Sequence, residues 1–179
     1  MAGGWTSVRL WPATGGTDRA APAARAVAAL AAPGARARVV RTLDGDTAVV
    51  AFSDREGRAT ATVRYLGVDT PESVHPERPV ECFGPEASHR NRSWATGRLV
   101  RLRFDRERVD PYGRLLAAVV VAGHDRSLSE RLVAAGLGRV LVVPPNGTDA
   151  PALRRAESRA REARRGLWRV CEDALPSDG

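Results

Sequence analysis

The chain has 179 residues, of which 43% are hydrophobic, so one domain of ordinary size with a core of its own is expected. Its formal net charge is +7 and all 28 basic residues are arginines, which indicates either a polyanionic partner such as nucleic acid or a solubilising, arginine-rich surface. No apolar run reaches about 18 residues, and no nucleotide-cofactor fingerprint or zinc spacing occurs, which argues against a transmembrane helix and against those two kinds of site.

Residues 1–35 are rich in Gly, Pro, Ala and Thr and show no clear periodicity, which predicts a tail. An apolar run, Ala26–Ala32, follows Arg25 and precedes a small-x-small triplet at 35–37. The segment is therefore either a disordered tail or a poor secretion signal. The folded domain is expected over residues 36–171, and residues 172–179 are expected to form a C-terminal tail.

The next elements are predicted to be strands. The segments Arg38–Leu43 and Thr47–Phe52 flank Asp44-Gly45, which is a hairpin signal. The segment Thr60–Leu66 alternates between apolar and polar side chains, as a strand with one buried face does. A polar turn over Ser53–Gly57 separates the last two strands, so a three-stranded meander is expected.

A loop rich in proline follows, and Pro85 then suits the first turn of a helix that runs to Thr96, with Gly97 as its stop. The segments Leu99–Phe104 and Leu115–Val121 are predicted to be strands, the second of them buried because it is continuously apolar.

Two further helices are predicted. A capping box at Ser127–Glu130 opens one that ends near Gly136, and Asp149 is expected to cap the other. The third helix carries arginines along one side, which is typical of a solvated face. The order of elements predicts an α+β protein with a mainly β core, a five-stranded barrel with three packed helices.

The candidate chemistry lies in three short motifs: Asp44-Gly45-Asp46-Thr47, the segment Arg64–Glu72, and Asp110-Pro111-Tyr112-Gly113-Arg114. Each motif alone marks a turn more often than a site. Together they supply a candidate set of three carboxylates, which suit a hard cation, and two guanidiniums, which clamp phosphate oxygens: Asp46, Asp69 and Glu72, with Arg64 and Arg114. Their conjunction and order favour metal-assisted cleavage of a phosphodiester.

These ordered motifs resemble the thermonuclease family, the staphylococcal-type nucleases. The resemblance extends from Arg38 to Trp168. It includes four further segments: His75-Pro76, Gly84–Ser88, Leu132–Leu137 and Gly166-Leu167-Trp168. It implies a five-stranded OB-fold barrel with three packed helices, in agreement with the architecture expected from the pattern of elements.

The resemblance also implies a Ca²⁺ site. Asp46 and Asp69 would be its side-chain ligands, and the backbone carbonyl of Thr70 would be a third protein ligand. The carboxylates would repel one another without a cation, so the binding of calcium should also stabilise the site.

A catalytic set follows from the same resemblance. Glu72 falls at the position of the proposed general base, which orients or deprotonates the attacking water. Arg64 and Arg114 fall where arginines hold the scissile phosphate and stabilise the transition state. Tyr112 falls where a tyrosine packs beside the phosphate of the bound nucleotide.

The function that the resemblance implies is a Ca²⁺-dependent endonuclease that acts on DNA and RNA and leaves 3′-phosphate ends. A single-stranded substrate is expected because an open groove on the barrel suits unpaired strands, and a monomer is expected. The alternative is a non-catalytic OB-fold module that binds nucleic acid or protein. Two departures bear on the substrate. The segment Val140–Pro145 has no aromatic residue for base stacking, and Pro111 stands where some members have a lysine.

The two cysteines, Cys82 and Cys171, allow one disulfide, which would imply export, or they are two independent buried thiols. Their positions at the edges of predicted elements favour the disulfide and therefore secretion, although the N-terminal segment is not a clear signal peptide.

Overall fold

The computed structural model describes residues 32–54, 57–73 and 79–171. The predicted tails, 1–35 and 172–179, lie almost entirely outside them. The strands of the described part are β1 (Arg36–Thr42), β2 (Thr47–Asp54), β3 (Gly57–Tyr65), β4 (Gly67–Asp69), β5 (Leu99–Arg103), β6 (Leu115–Val121) and β7 (Arg139–Leu141). Its helices are α1 (Gly84–Ala95), α2 (Leu128–Ala134), α3 (Ala150–Glu162) and α4 (Leu167–Val170).

Five of the strands form a closed barrel in the order β1-β2-β3-β6-β5. The first three make the expected antiparallel meander, and β5 pairs antiparallel with both β1 and β6. A short parallel pairing of β3 with β6 closes the barrel. The predicted five-stranded barrel with three packed helices is therefore confirmed.

The barrel forms because alternate residues of each strand are apolar and point into one core. Inward-facing side chains from all five strands are fully buried: Val39, Val50, Val63, Leu102 and Val119. The same core continues between the barrel and the helices, where Leu128 and Leu132 of α2 and Leu153 of α3 are buried. Burial of this continuous apolar surface is the main driving force for the fold.

The hairpin between β2 and β3 is longer than predicted. Ser53 pairs with Arg58, and Asp54 pairs with Gly57, so most of the segment expected to be a turn lies in strands. Ladder hydrogen bonds join backbone groups and do not require apolar side chains, which is why a polar segment extends the hairpin.

Two three-residue strands and a four-residue helix were not predicted. Strands β4 and β7 pair antiparallel, with Asp69 opposite Arg139, and form a small second sheet beside the barrel. Helix α4 follows Gly166. Elements this short have no measurable periodicity, so the sequence pattern does not reveal them.

The predicted helix caps are only partly correct. The hydroxyl of Ser127 accepts a hydrogen bond from the N–H of Glu130 at 3.2 Å, as the capping box predicts. Asp149 precedes α3, but its side chain makes no capping bond. Its carboxylate instead accepts a hydrogen bond from Arg103 at 2.9 Å, so the expectation that it caps the helix through its side chain is wrong.

The arginines of α3 and of the turn after it are exposed, as the solvated-face interpretation requires: Arg154, Arg155, Arg159, Arg161, Arg164 and Arg165.

Within the described ranges, no helix is both long and apolar enough to cross a bilayer.

Candidate functional site

The first part of the site is built around Asp46, which ends the loop between β1 and β2 and is 6% exposed. Its Oδ2 accepts hydrogen bonds from the backbone N–H of Thr70 at 2.9 Å and from the Thr70 hydroxyl at 3.0 Å. The Thr47 hydroxyl donates to Oδ1 at 3.1 Å. The carboxylate therefore ties the first hairpin of the barrel to the segment that follows β4.

Arg64 joins the two predicted calcium ligands. It lies on β3 opposite Thr47, and its Nε is 3.2 Å from Oδ1 of Asp46. Its Nη2 is 3.0 Å from Oδ1 of Asp69. A second guanidinium nitrogen, Nη1, donates to the carbonyl of Val68 at 2.7 Å. Because the side chain of Arg64 is only 17% exposed, these contacts fix its position.

The electrostatics of this cluster are dominated by negative charge. Burial raises the pKa of Asp46, and the charge of Arg64 and hydrogen bonds from Thr70 oppose that rise. Burial also raises the pKa of Asp44, and the nearby charge of Asp46 raises it further. Asp69 adds a third carboxylate close enough to affect Asp46. Asp46 and Asp69 thus share the guanidinium of Arg64, and Asp44 adds a further negative charge beside Asp46, so an added cation would reduce the repulsion.

Two glycines allow the backbone segments of the cluster to approach closely. A Cβ at Gly45 would lie 2.5 Å from Oγ1 of Thr70. A Cβ at Gly138 would lie 2.8 Å from the carbonyl oxygen of Asp69. The hairpin predicted from Asp44-Gly45 is present, but the glycine is required there for space beside Thr70 rather than for a left-handed turn conformation.

A buried polar network supports the same loop, and sequence reasoning missed it. Asn91 of α1 is fully buried, and its Nδ2 donates to the carbonyl of Asp44 at 2.9 Å. The hydroxyl of Tyr65, also buried, donates to Oδ1 of Asn91 at 3.1 Å. Tyr65 in turn donates its backbone N–H to the carbonyl of Asp46 at 2.9 Å. An asparagine on a helix has no sequence signal that distinguishes it from a surface residue.

The second part of the site lies in the loop between β5 and β6. Asp110 accepts hydrogen bonds at Oδ1 from the backbone N–H groups of Tyr112 at 3.0 Å and Arg114 at 2.9 Å. Its Oδ2 accepts from Nε of Arg114 at 2.6 Å. The guanidinium of Arg114 lies 5.6 Å from the ring centre of Tyr112, which is 85% exposed. Asp110 therefore holds Arg114 while leaving part of its guanidinium in solvent.

A surface cleft of about 310 Å³ brings the two parts together, since Arg64, Tyr112 and Arg114 all line it. Leu141 and Val143, which are 43% and 60% exposed, also line the cleft. Three of the residues predicted from the motifs thus share one concave surface with both positive charge and apolar area.

Glu72 lies in the segment after β4, and its Oε1 accepts a hydrogen bond from the N–H of Ser73 at 2.8 Å. Its backbone N–H donates to Oε2 of Glu81 at 3.0 Å. Within the described part of the chain, no three acidic, histidine or cysteine side chains are grouped so that they could hold a metal. The predicted calcium ligands include only two carboxylates, those of Asp46 and Asp69, together with the backbone carbonyl of Thr70.

Cys82 and Cys171 form a disulfide, with their Cα atoms 5.9 Å apart. The bond borders a broad surface depression of about 510 Å³ that also includes Asp69, Thr70 and Arg139. His75-Pro76, part of the resemblance to the thermonucleases, lies outside the described residues.

Comparisons with known proteins agree with the motifs. A family model described as "Staphylococcal nuclease homologue" matches residues 62–170. The thermonuclease of Staphylococcus hyicus is 35% identical over 131 residues, and that of Staphylococcus intermedius is 37% identical over 130 residues; each match covers 73% of this chain and 74% of the relative. Endonuclease YncB of Bacillus subtilis is 39% identical over 130 residues, 72% of this chain and 59% of the relative. Because the family model and the relatives match most of the chain, and the barrel agrees with them, the chain belongs to the staphylococcal nuclease family.

Proposed function

We propose that the protein is a Ca²⁺-dependent nuclease that hydrolyses phosphodiester bonds in DNA and RNA and leaves 3′-phosphate ends. As a member of its family, the chain is a hydrolase of the micrococcal nuclease type, an endonuclease. The residues of the candidate site support the calcium requirement, and the action on both nucleic acids and the product ends are what the resemblance to the thermonucleases implies.

One observation carries the proposal: Arg64 lies both in the cleft with Arg114 and in contact with the Asp46–Asp69 pair. A phosphate in that cleft would meet two guanidiniums, which bind its oxygens in bidentate fashion. The same phosphate would lie beside the aspartates that suit a hard cation. A site that only bound nucleic acid would have no need of carboxylates next to its phosphate, because they repel it.

The residues that would hold Ca²⁺ are Asp46, Asp69 and the carbonyl of Thr70. Their hard oxygen donors fit this cation, and the negative charge of the cluster exceeds what Arg64 alone offsets. The exposed Asp69, whose side chain is 60% accessible, leaves one side of the pair open to solvent. When bound, the cation would supply charge that polarises the phosphoryl group.

The remaining side chains would act directly on the phosphodiester. Arg64 and Arg114 would bind the phosphate oxygens and stabilise the charge that develops on them in the transition state. Arg114, which is held by Asp110, would also assist departure of the 5′-oxygen. Glu72 would orient the attacking water or accept its proton.

The substrate would be an unpaired strand, since an open barrel surface with positive charge and apolar area suits exposed bases. Tyr112 would pack beside the phosphate of the nucleotide. Leu141 and Val143, which also line the cleft, are aliphatic, so a base that contacted them would be held without aromatic stacking. Stacking on an aromatic ring contributes about 1–3 kcal/mol per base, and its absence predicts weak base preference.

The experiment is digestion of denatured DNA and of single-stranded RNA by the purified protein, with Ca²⁺ and with a chelator. Cleavage should require calcium. Arg114→Ala should lower kcat by about 10²–10³-fold, as loss of one transition-state donor does. Glu72→Gln should lower it by about 10²–10⁴-fold, the usual contribution of a general base.

Matched controls are available on α3, where Arg154→Ala and Glu162→Gln make the same chemical changes at exposed positions. Both should cleave like the unchanged protein. Fragments with 3′-phosphates carry 5′-hydroxyls, so they should accept a labelled phosphate from polynucleotide kinase without prior dephosphorylation. A folded protein that binds DNA in calcium but does not cut it would refute the proposal and favour the non-catalytic binding module.

A further inference from the structure

The backbone of Glu72 is clamped at two points by Glu81. The N–H of Glu72 donates to Oε2 of Glu81 at 3.0 Å. In return, the backbone N–H of Glu81 donates to the carbonyl of Glu72 at 2.8 Å. These two bonds close the loop that leaves the site after Glu72, so Glu81 sets where the backbone of Glu72 lies.

The residues after Glu81 pack against the backbone of Glu72. The N–H of Gly84 donates to the carbonyl of Glu81 at 3.0 Å, where α1 begins. A Cβ at Gly84 would overlap the carbonyl oxygen of Glu72. The start of α1 therefore packs directly on the backbone of Glu72, and only a glycine permits that approach.

The clamp is anchored at a distant part of the chain. Cys82, the next residue after Glu81, is bonded to Cys171 just beyond α4. Helix α4 is itself held down, because the N–H of Leu167 donates to the carbonyl of Gly136 at 2.8 Å and Cys171 donates its N–H to Leu167 at 2.9 Å. The covalent bond thus fastens an exposed segment to the packed C-terminal part of the domain.

We propose that Glu81 is a positioning residue for Glu72 and that the Cys82–Cys171 disulfide anchors Glu81. This inference rests on the proposed function, because it assigns Glu81 and the disulfide an effect on hydrolysis that acts only through Glu72. Glu81 and Cys82 line the depression that contains Asp69 and Thr70, so the test uses saturating Ca²⁺, and neither residue lines the cleft that contains Arg64 and Arg114. Their loss should therefore change the rate of the chemical step and leave substrate binding unchanged.

Kinetics on single-stranded DNA in saturating Ca²⁺ test the inference in the full chain. Glu81→Ala should lower kcat by about 10- to 100-fold with little change in KM, since a displacement of about 1 Å in a catalytic group has effects of that size. Glu81→Gln keeps an acceptor oxygen for the N–H of Glu72 and should retain most of the rate. Cys171→Ser, assayed below its own unfolding temperature, should lower kcat in the same direction.

A double-mutant cycle separates positioning from a general structural role. In a Glu72→Gln background, Glu81→Ala should cause no further loss of kcat, because the group it positions is already absent. Glu162→Ala on α3 is the matched control and should change neither constant. Equal losses with and without the Glu72 carboxylate, or an unchanged kcat in both Glu81→Ala and Cys171→Ser, would overturn the proposal.

Hydrogen exchange of the Glu72 amide in calcium-free protein gives a readout that does not depend on activity. Exchange should accelerate in Glu81→Ala and in Cys171→Ser, and remain slow in Glu81→Gln. If the amide responds in this way but the unchanged protein cuts no nucleic acid, the clamp is real and the proposed function is wrong. If the protein cuts DNA but the amide is unaffected in every variant, the positioning inference fails while the function stands.

Discussion

At the scale of single residues, Arg64 shows how one side chain can serve two groups. It is held by carboxylates of Asp46 and Asp69 and by the carbonyl of Val68, yet it also lines the cleft. A lysine at this position could not reproduce these contacts, because its single ammonium lacks the planar fork that reaches several oxygens at once. The arginine therefore fixes the distance between the cleft and the aspartates.

Gly45 provides a test of the close packing around Asp46. In Gly45→Ala, the added methyl would meet Oγ1 of Thr70 at 2.5 Å and push Thr70 away from the carboxylate. We expect destabilisation of about 1–3 kcal/mol, as for other overpacked sites. We also expect a loss of DNA cleavage of at least about tenfold, because the aspartate loses two hydrogen bonds and shifts.

The measurements are urea unfolding and initial rates of DNA cleavage. The control is Gly147→Ala, where the added Cβ would make only an ordinary contact, 3.5 Å from Val142. Similar small effects of the two substitutions would show that Thr70 can move aside without consequence.

The sequence predicted charged residues for the candidate site but not the groups that support them. Asp46, Arg64 and Asp69 were predicted because three motifs, each of which alone favours a turn, occur together in the order that resembles the thermonuclease family. The support given by Asn91 depends on α1 packing across the loop after β1, which is a tertiary contact. The space required at Gly45 likewise comes from a residue 25 positions later in the chain, so no local pattern encodes it.

At the scale of elements, the two cap positions of α2 and α3 behave differently. The hydroxyl of Ser127 is buried and bonded to the helix, whereas the carboxylate of Asp149 is partly exposed and bonded to Arg103 of β5. The chain thus uses one cap residue to start a helix and the other to attach a helix to the barrel.

This difference predicts that removing the two side chains lowers the free energy of unfolding by different amounts. Ser127→Ala should lower the free energy of unfolding by about 1 kcal/mol, the typical value for loss of a side-chain cap. Asp149→Ala should cost less, within about 0–1 kcal/mol, because it removes only a surface ion pair. Urea unfolding measures both free-energy changes, provided that the dependence of the unfolding free energy on urea concentration has the same slope in each variant. A larger cost for Asp149→Ala would mean that its carboxylate supports the helix start in solution.

The short elements explain why the prediction of the architecture was incomplete. The barrel strands have enough residues to show alternation, and α3 has enough turns to show an arginine face. Strands β4 and β7 have three residues each, and they form because the chain brings them together beside the barrel. Asp69 owes its place next to Arg64 to this small sheet, so the sequence predicted the residue but not the element that positions it.

At the scale of the whole molecule, Asp105 connects the barrel to the segment before α3. Its carboxylate, just after β5, accepts hydrogen bonds from the N–H of Gly147 at 2.8 Å and from the N–H and hydroxyl of Thr148 at 2.9 and 3.0 Å. These bonds, above all the one from the N–H of Thr148, lower the pKa of Asp105 below its ordinary value of 3.8.

This shift predicts a contribution to acid stability. Because the folded-state pKa lies below the unfolded value, the stabilisation is complete above the unfolded pKa and is lost as the pH falls through the folded pKa. Asp105→Asn should therefore lower the melting temperature near neutral pH, and its difference from the unchanged protein should shrink as the pH falls below the ordinary pKa of 3.8 and through the lower folded-state pKa. Differential scanning calorimetry from neutral to acid pH measures this difference in melting temperature.

The control is Asp125→Asn, which makes the same chemical change at an exposed position in the turn before α2 and should leave the melting temperature near neutral pH unchanged. A constant difference between Asp105→Asn and the unchanged protein from neutral to acid pH would mean that the carboxylate contributes through packing and not through its charge.

The disulfide also divides the molecule topologically. It joins residues 89 positions apart, so the chain from Cys82 to Cys171 is a covalent ring that contains α1 to α4 and two barrel strands. The other three barrel strands, β1 to β3, precede Cys82 in the chain and are therefore not part of the covalent ring. A single protease cut between the two cysteines would open the ring without releasing a fragment, so a nicked molecule would remain one covalent unit held around its barrel.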